Sequence, residues 1–145
     1  MTLGGALLVA GVLVGLATLI GVLLRRREGR HLDAAPGERM RTSDLGGETL
    51  GERATLVQFS TELCARCPQV RRQLTQLAGT RPGVRHVDVD LTHRPELARH
   101  YHVLQTPTTL LVDASGAVRA RYRGAVHVPT ILQDLTELAP EGATL

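Results

Sequence analysis

The chain has 145 residues, room for one domain of ordinary size and an appendage, and a net charge of +3 in which all 17 basic residues are arginine. One Phe, two Tyr and no Trp leave no aromatic platform for stacking bases, which together with so small a charge excludes a nucleic-acid partner. The two cysteines, Cys64 and Cys67, lie too close in sequence to staple distant segments, which excludes a disulfide-scaffolded fold and points to a reactive pair or half of a metal site.

Residues 3–24 (LGGALLVAGVLVGLATLIGVLL) carry no charge, and their one polar side chain is Thr18. About 20 apolar residues in a helix cross the hydrocarbon core of a bilayer, so residues 1–24 are expected to form a transmembrane helix with membrane lipid around it. A cleaved leader has a basic start; here Met1 and Thr2 precede the run and the basic cluster Arg25, Arg26, Arg27 and Arg30 follows it. Basic flanks stay on the cytoplasmic side. The expected topology is therefore N-terminus outside and the following domain in the cytoplasm, the alternative being an extracytoplasmic domain. Gly11 and Gly15 are spaced for helix–helix packing, but glycine recurs throughout the run and reads as lipid-compatible filler.

Residues 25–53 are polar and Gly-rich with mixed charges and Pro36, and without an apolar period they read as a basic juxtamembrane segment and linker. Part of residues 43–50 is expected to join the domain as a short edge strand or helix. From residue 54 the pattern sharpens. Residues 55–60 (TLVQFS) read as a buried strand. Cys67, Val70, Leu74 and Leu77 form a helical stripe that Gly79 ends. Residues 84–90 (VRHVDVD) alternate as a strand, and Pro95 opens a short helix. Residues 108–112 are a further strand, Asp113 to Gly116 a turn, residues 118–122 the return strand, and Pro129 opens a last helix with Ile131, Leu132, Leu135 and Leu138 on one face. A βαβ unit followed by a hairpin and a helix predicts one mixed sheet covered by helices on both faces, an α/β fold spanning residues 54–140 with a tail at 141–145.

Cys64 follows a buried strand at the entry to a helix, where the unpaired N–H groups and the helix dipole favour a thiolate, the reactive form of the thiol. Arg66 adds a fixed positive charge beside it. Cys67, on the apolar stripe, is expected to be the more buried partner. The chemistry that follows is thiol–disulfide exchange: Cys64 attacks a substrate disulfide, and Cys67 resolves the mixed disulfide. Two rival readings are weaker. A zinc site completed by His100 and His102 lacks a second cysteine pair. A peroxidase signature at Thr61-x-x-Cys64 lacks the proline that should stand at Val57. His86, His93, His100, His102 and His127 read as scattered surface or satisfied side chains.

Taken together, LVQFSTELCARC at residues 56–67, Thr106-Pro107-Thr108, a strand, an Asp-x-x-Gly turn and a further strand resemble thioredoxin and its membrane-anchored thioredoxin-like relatives, over residues 56–124 and the helix after them. The resemblance implies a thioredoxin-like three-layer fold and a cis Thr106–Pro107 bond beside the cysteines. It also implies that Thr106 and Pro107 bind an extended substrate segment. The implied partners are a protein carrying a disulfide or thiol and an electron donor whose identity the sequence leaves open. No cofactor is implied beyond the redox-active Cys64–Cys67 disulfide. Three positions depart from thioredoxin: Leu63 replaces the aromatic before the first cysteine, Ala65-Arg66 replaces Gly-Pro, and Gln58 replaces a buried Asp. Gln58 cannot titrate, so any general base must be water or another group. These departures suggest a specialised oxidoreductase with a dedicated partner.

Overall fold

The computed structural model describes residues 3–27 and 31–138; the tail expected at 141–145 lies outside them. The first element is a long helix, α1 (Leu3–Arg27). Its stretch Gly4–Leu24, with mean hydropathy 2.8, is long and apolar enough to cross a membrane, and none of it is buried against the rest of the chain. The Thr18 hydroxyl donates to the Val14 carbonyl at 2.8 Å, so its one polar side chain is satisfied within the helix.

Five strands form one sheet: β1 (His31–Asp33), β2 (Ala54–Ser60), β3 (Val84–Asp90), β4 (Thr108–Asp113) and β5 (Val118–Arg123), in the spatial order β1-β5-β4-β2-β3. Only β2 and β3 run parallel; the pairs β2–β4, β4–β5 and β1–β5 are antiparallel. The parallel pair needs a crossover, and α2 (Cys67–Gly79) supplies it. Helices α3 (Pro95–His100) and α4 (Val128–Leu138) are the remaining α-helices among the described residues.

β2 is buried along its whole length, as a central strand covered on both faces must be. Val57 and Phe59 point into one core with Val87, Val89, Leu97 and Tyr101. Ala54 and Leu56 point into the other, against Val70, Leu74 and Leu77 of α2 and Ile131 and Leu135 of α4. At about 1.5–3 kcal/mol for each fully buried aliphatic or aromatic side chain, these two layers are the main favourable term in folding. The result is the expected three-layer α/β architecture with a mixed sheet. At the hairpin between β4 and β5, Asp113 accepts hydrogen bonds from the Ser115 and Ala117 amides, the Ser115 hydroxyl and the Arg119 guanidinium. Burial pushes its carboxyl up, but these donors outweigh burial and hold it at about 2.

The reading of residues 25–53 as a linker needs correction. β1 pairs with β5 as an edge strand, Arg39 bridges to Ala117, and a 3-10 turn, Thr42–Leu45, sits where a short element was expected. Met40 and Leu45 are core residues. Polar contacts fix this arm. Arg121, only 7% exposed, donates to Glu38 at 2.7 Å and to the Tyr101 carbonyl at 2.8 Å. The Tyr101 hydroxyl donates to Asp44 at 2.6 Å and accepts from the Arg41 amide, and burial, with the Asp44 carboxylate, pushes its pKa up to about 12. Gly51 packs so closely that an added Cβ would lie 2.7 Å from the Gly83 carbonyl oxygen. Such contacts join residues far apart in sequence, so they leave no periodicity in the arm itself.

Candidate redox site

The site lies at the end of the sheet where β2 finishes and β4 begins. In register, Phe59 of β2 stands beside Thr108 of β4, and Thr108 beside Arg123 of β5. After Ser60 the chain makes two tight turns: the Cys64 amide donates to the Thr61 carbonyl at 3.2 Å, and the Cys67 amide to the Cys64 carbonyl at 3.3 Å. α2 then begins at Cys67, with Arg66 as its N-cap residue and Pro68 in its first turn, where a missing N–H costs no helical hydrogen bond. Cys64 therefore stands in the turn before the helix and not in its first turn. The second of the two turns, and not a full turn of helix, brings the sulfurs together.

Cys64 and Cys67 are bonded to each other, with their Cα atoms 5.4 Å apart. Cys67 is 2% exposed and Cys64 half-buried, the asymmetry expected of an outer and an inner thiol. The Thr106–Pro107 peptide is cis. The Thr61 and Thr106 hydroxyls approach to 3.3 Å, which holds the Thr106–Pro107 loop against the turn that carries the cysteines. Pro107 is buried and Thr106 partly exposed. Outside α1, the exposed large hydrophobic side chains among the described residues are Leu63 (98%) and Leu104 (81%). One adjoins Cys64, and the other lies two residues before Thr106.

Sequence reasoning missed how Gln58 is used. Its side-chain NH₂ donates to the Cys67 carbonyl at 3.0 Å. Its oxygen therefore faces His86 and accepts from Nε2–H at 3.2 Å. His86 Nδ1 meets the Thr75 hydroxyl at 3.0 Å and accepts from it when the ring is neutral. A chain of hydrogen bonds thus runs from α2 through β3 and β2 back to the inner cysteine. Burial lowers the His86 pKa, Asp88 raises it, and Arg71 lowers it again, with a net downward shift. Asp88 is itself held by the Ser60 hydroxyl at 2.7 Å and by an ion pair with Arg71. The available signal was a polar residue inside an otherwise apolar strand, since a buried amide without partners is costly.

Among the described residues no group of three or more His, Cys, Asp or Glu side chains is placed to hold a metal ion. His100 packs edge-on against the Tyr101 ring, with centroids 4.6 Å apart.

A family model described as Thioredoxin matches residues 48–137, more than half of the chain. The structure resembles Chlamydomonas reinhardtii thioredoxin f2 at 22% identity, with a TM-score of 0.56 over 70% of this chain and 93% of that one. It also resembles Fasciola hepatica thioredoxin at 25% identity (TM-score 0.52; 60% and 82%). Spinach chloroplast thioredoxin f is similar at 18% identity (TM-score 0.53; 61% and 78%). No curated protein matches the chain by sequence. A bonded cysteine pair of CxxC spacing at the end of this sheet supports thiol–disulfide redox chemistry on thiol-containing proteins, and with the family model matching over that length the chain belongs to the thioredoxin family.

Proposed function

We propose that the protein is a membrane-tethered protein-disulfide reductase, anchored by α1, that works through Cys64 and Cys67. The observation that carries this reading is the bonded pair, half-buried Cys64 and buried Cys67, beside the Thr106–Pro107 loop in a chain of this family.

In the dithiol state Cys64 is the nucleophile. α2 starts just after it and turns the positive end of its dipole toward it, and Arg66 adds positive charge, so the thiolate is favoured. The thiolate attacks one sulfur of a substrate disulfide, forms a mixed disulfide, and expels the other sulfur as a thiolate that takes up a proton. Cys67 loses its proton and attacks Cys64, releasing the substrate dithiol and closing the Cys64–Cys67 disulfide. Two electrons have passed to the substrate, and an external dithiol donor must return them. Thr106 offers its backbone to an extended substrate segment in the manner of an added strand. Gln58 cannot accept the Cys67 proton, so water or another group takes it.

The positive flank after α1 favours the cytoplasmic side for the domain, where a reducing milieu would keep the pair ready to donate. A reporter fused after Leu145 reads that side. The activity is tested with catalytic amounts of full-length protein in insulin disulfide reduction driven by a dithiol. Cys64→Ser is expected to abolish turnover, and Cys67→Ser to accumulate mixed disulfides. Unchanged turnover in Cys64→Ser would reject the reading and leave a thioredoxin-fold binding module.

A further inference from the structure

We infer that the site acts on cysteine pairs close to the bilayer surface, in the juxtamembrane segments of other membrane proteins, because the chain suspends the domain from the membrane by its active-site end. This rests on the reading of α1 as an anchor and of Cys64 and Cys67 as the redox pair.

β5 runs toward the site, since its last residue, Arg123, pairs with Thr108 at the start of β4. β1 is antiparallel to β5, with His31 opposite Tyr122 and Asp33 opposite Ala120. β1 therefore starts at the site end of the sheet and runs away from it. His31 lies within one residue of the row Phe59–Thr108–Arg123 that borders the site. The chain enters the domain at the pole that carries the cysteines. This edge strand lies upstream of residues 48–137, the part that matches the family model.

Length makes the placement matter. α1 ends at Arg27 and β1 starts at His31, a separation that a chain spans over at most about 14 Å. Across the sheet, β1 to β2 is three strand spacings, or about 14 Å. The cysteines, a short turn beyond the end of β2, thus lie within roughly 40 Å of the point where α1 ends. A free linker from residue 25 to residue 53 would have let them range out to about 100 Å.

The test uses the full chain reconstituted in phosphatidylcholine–phosphatidylglycerol vesicles, with a small dithiol as electron donor. Two single-span reporter proteins carry the same disulfide, one directly after the span and one at the end of a rigid helical spacer about 60 Å long. The near reporter is expected to be reduced about tenfold faster than the far one, and a Gly-Ser insertion of about 30 residues between Gly29 and Arg30 should bring the two rates within about threefold. Equal rates with the natural chain, or a preference that survives the insertion, would overturn the proposal alone. Vesicle flotation and insulin reduction are measured on the same preparation. Loss of flotation would instead refute the anchor, and loss of insulin reduction the redox pair, and either would remove the basis of the inference.

Discussion

The arm of residues 31–53 and the segment of residues 54–79 are held to the same sheet by opposite means. The second is apolar and periodic: every residue of β2 is buried, and α2 adds Cys67, Val70, Leu74 and Leu77 at helical spacing. The arm contributes few buried apolar side chains and is secured by Glu38, Asp44 and backbone amides, which meet Arg121, Tyr101 and Gly116 from far along the chain. An apolar face can be read one residue at a time. A polar clasp is visible only when both halves are present. The comparison also separates duties. The arm extends the sheet beyond β5, and the β2–α2 turn carries the bonded cysteines.

Breaking the clasp should have the largest effect. Arg121→Ala leaves the Glu38 carboxylate, 12% exposed, without its partner, and removal of one member of a buried ion pair costs about 3–5 kcal/mol. Urea unfolding should show that loss, whereas insulin reduction per folded molecule should stay near the natural rate. A stability change below about 1 kcal/mol would mean that solvent reaches the pair and that the arm is held otherwise.

Gly51→Ala tests close packing in the same arm. The added methyl would meet the Ala54 and Gly83 carbonyl oxygens, and backbone atoms cannot yield as a flexible side chain does. A loss of about 1–3 kcal/mol is expected. Tyr101→Phe is milder. It keeps the ring stacked on Phe59 with centroids 5.4 Å apart and removes only the hydroxyl between Asp44 and the Arg41 amide. About 1–2 kcal/mol should be lost. If Tyr101→Phe unfolds as late as the natural chain, water replaces the hydroxyl at no cost.

How much of this was legible follows from the range of the forces. The strands from residue 54 onward to within a residue, the greater burial of Cys67 and the cis bond at Pro107 agree with the sequence reading, because alternation, helical spacing and the family motif are local signals. The arm was missed because its contacts span up to 83 residues. The start of α2 was set too early because tight turns and a first helical turn look alike in CARCP. His86 was set aside with the other histidines, and only the pairing of β2 with β3 brings it to Gln58.

That histidine gives the smallest predicted effect, and the one that reports on the site side of the comparison. Gln58 Oε1 accepts from Nε2–H of either form of the ring, and the Thr75 hydroxyl can donate to a neutral Nδ1 or accept from a protonated one, so the hydrogen bonds do not set the charge of His86. Of the charged groups facing the ring, Asp88 from β3 favours the protonated form, while Arg71 from α2 opposes it; burial, the largest influence, lowers the pKa. In the unfolded chain the same histidine takes up its proton near its ordinary value, about 6.5. The folded state resists that proton, so stability is full above this value and is lost as pH falls through the depressed folded pKa. Urea midpoints measured between about pH 7 and about pH 5 should therefore fall less steeply in His86→Gln than in the natural chain, the other histidines being common to both. A wild-type slope no steeper than that of the variant would mean that the ring protonates as freely when folded as when unfolded.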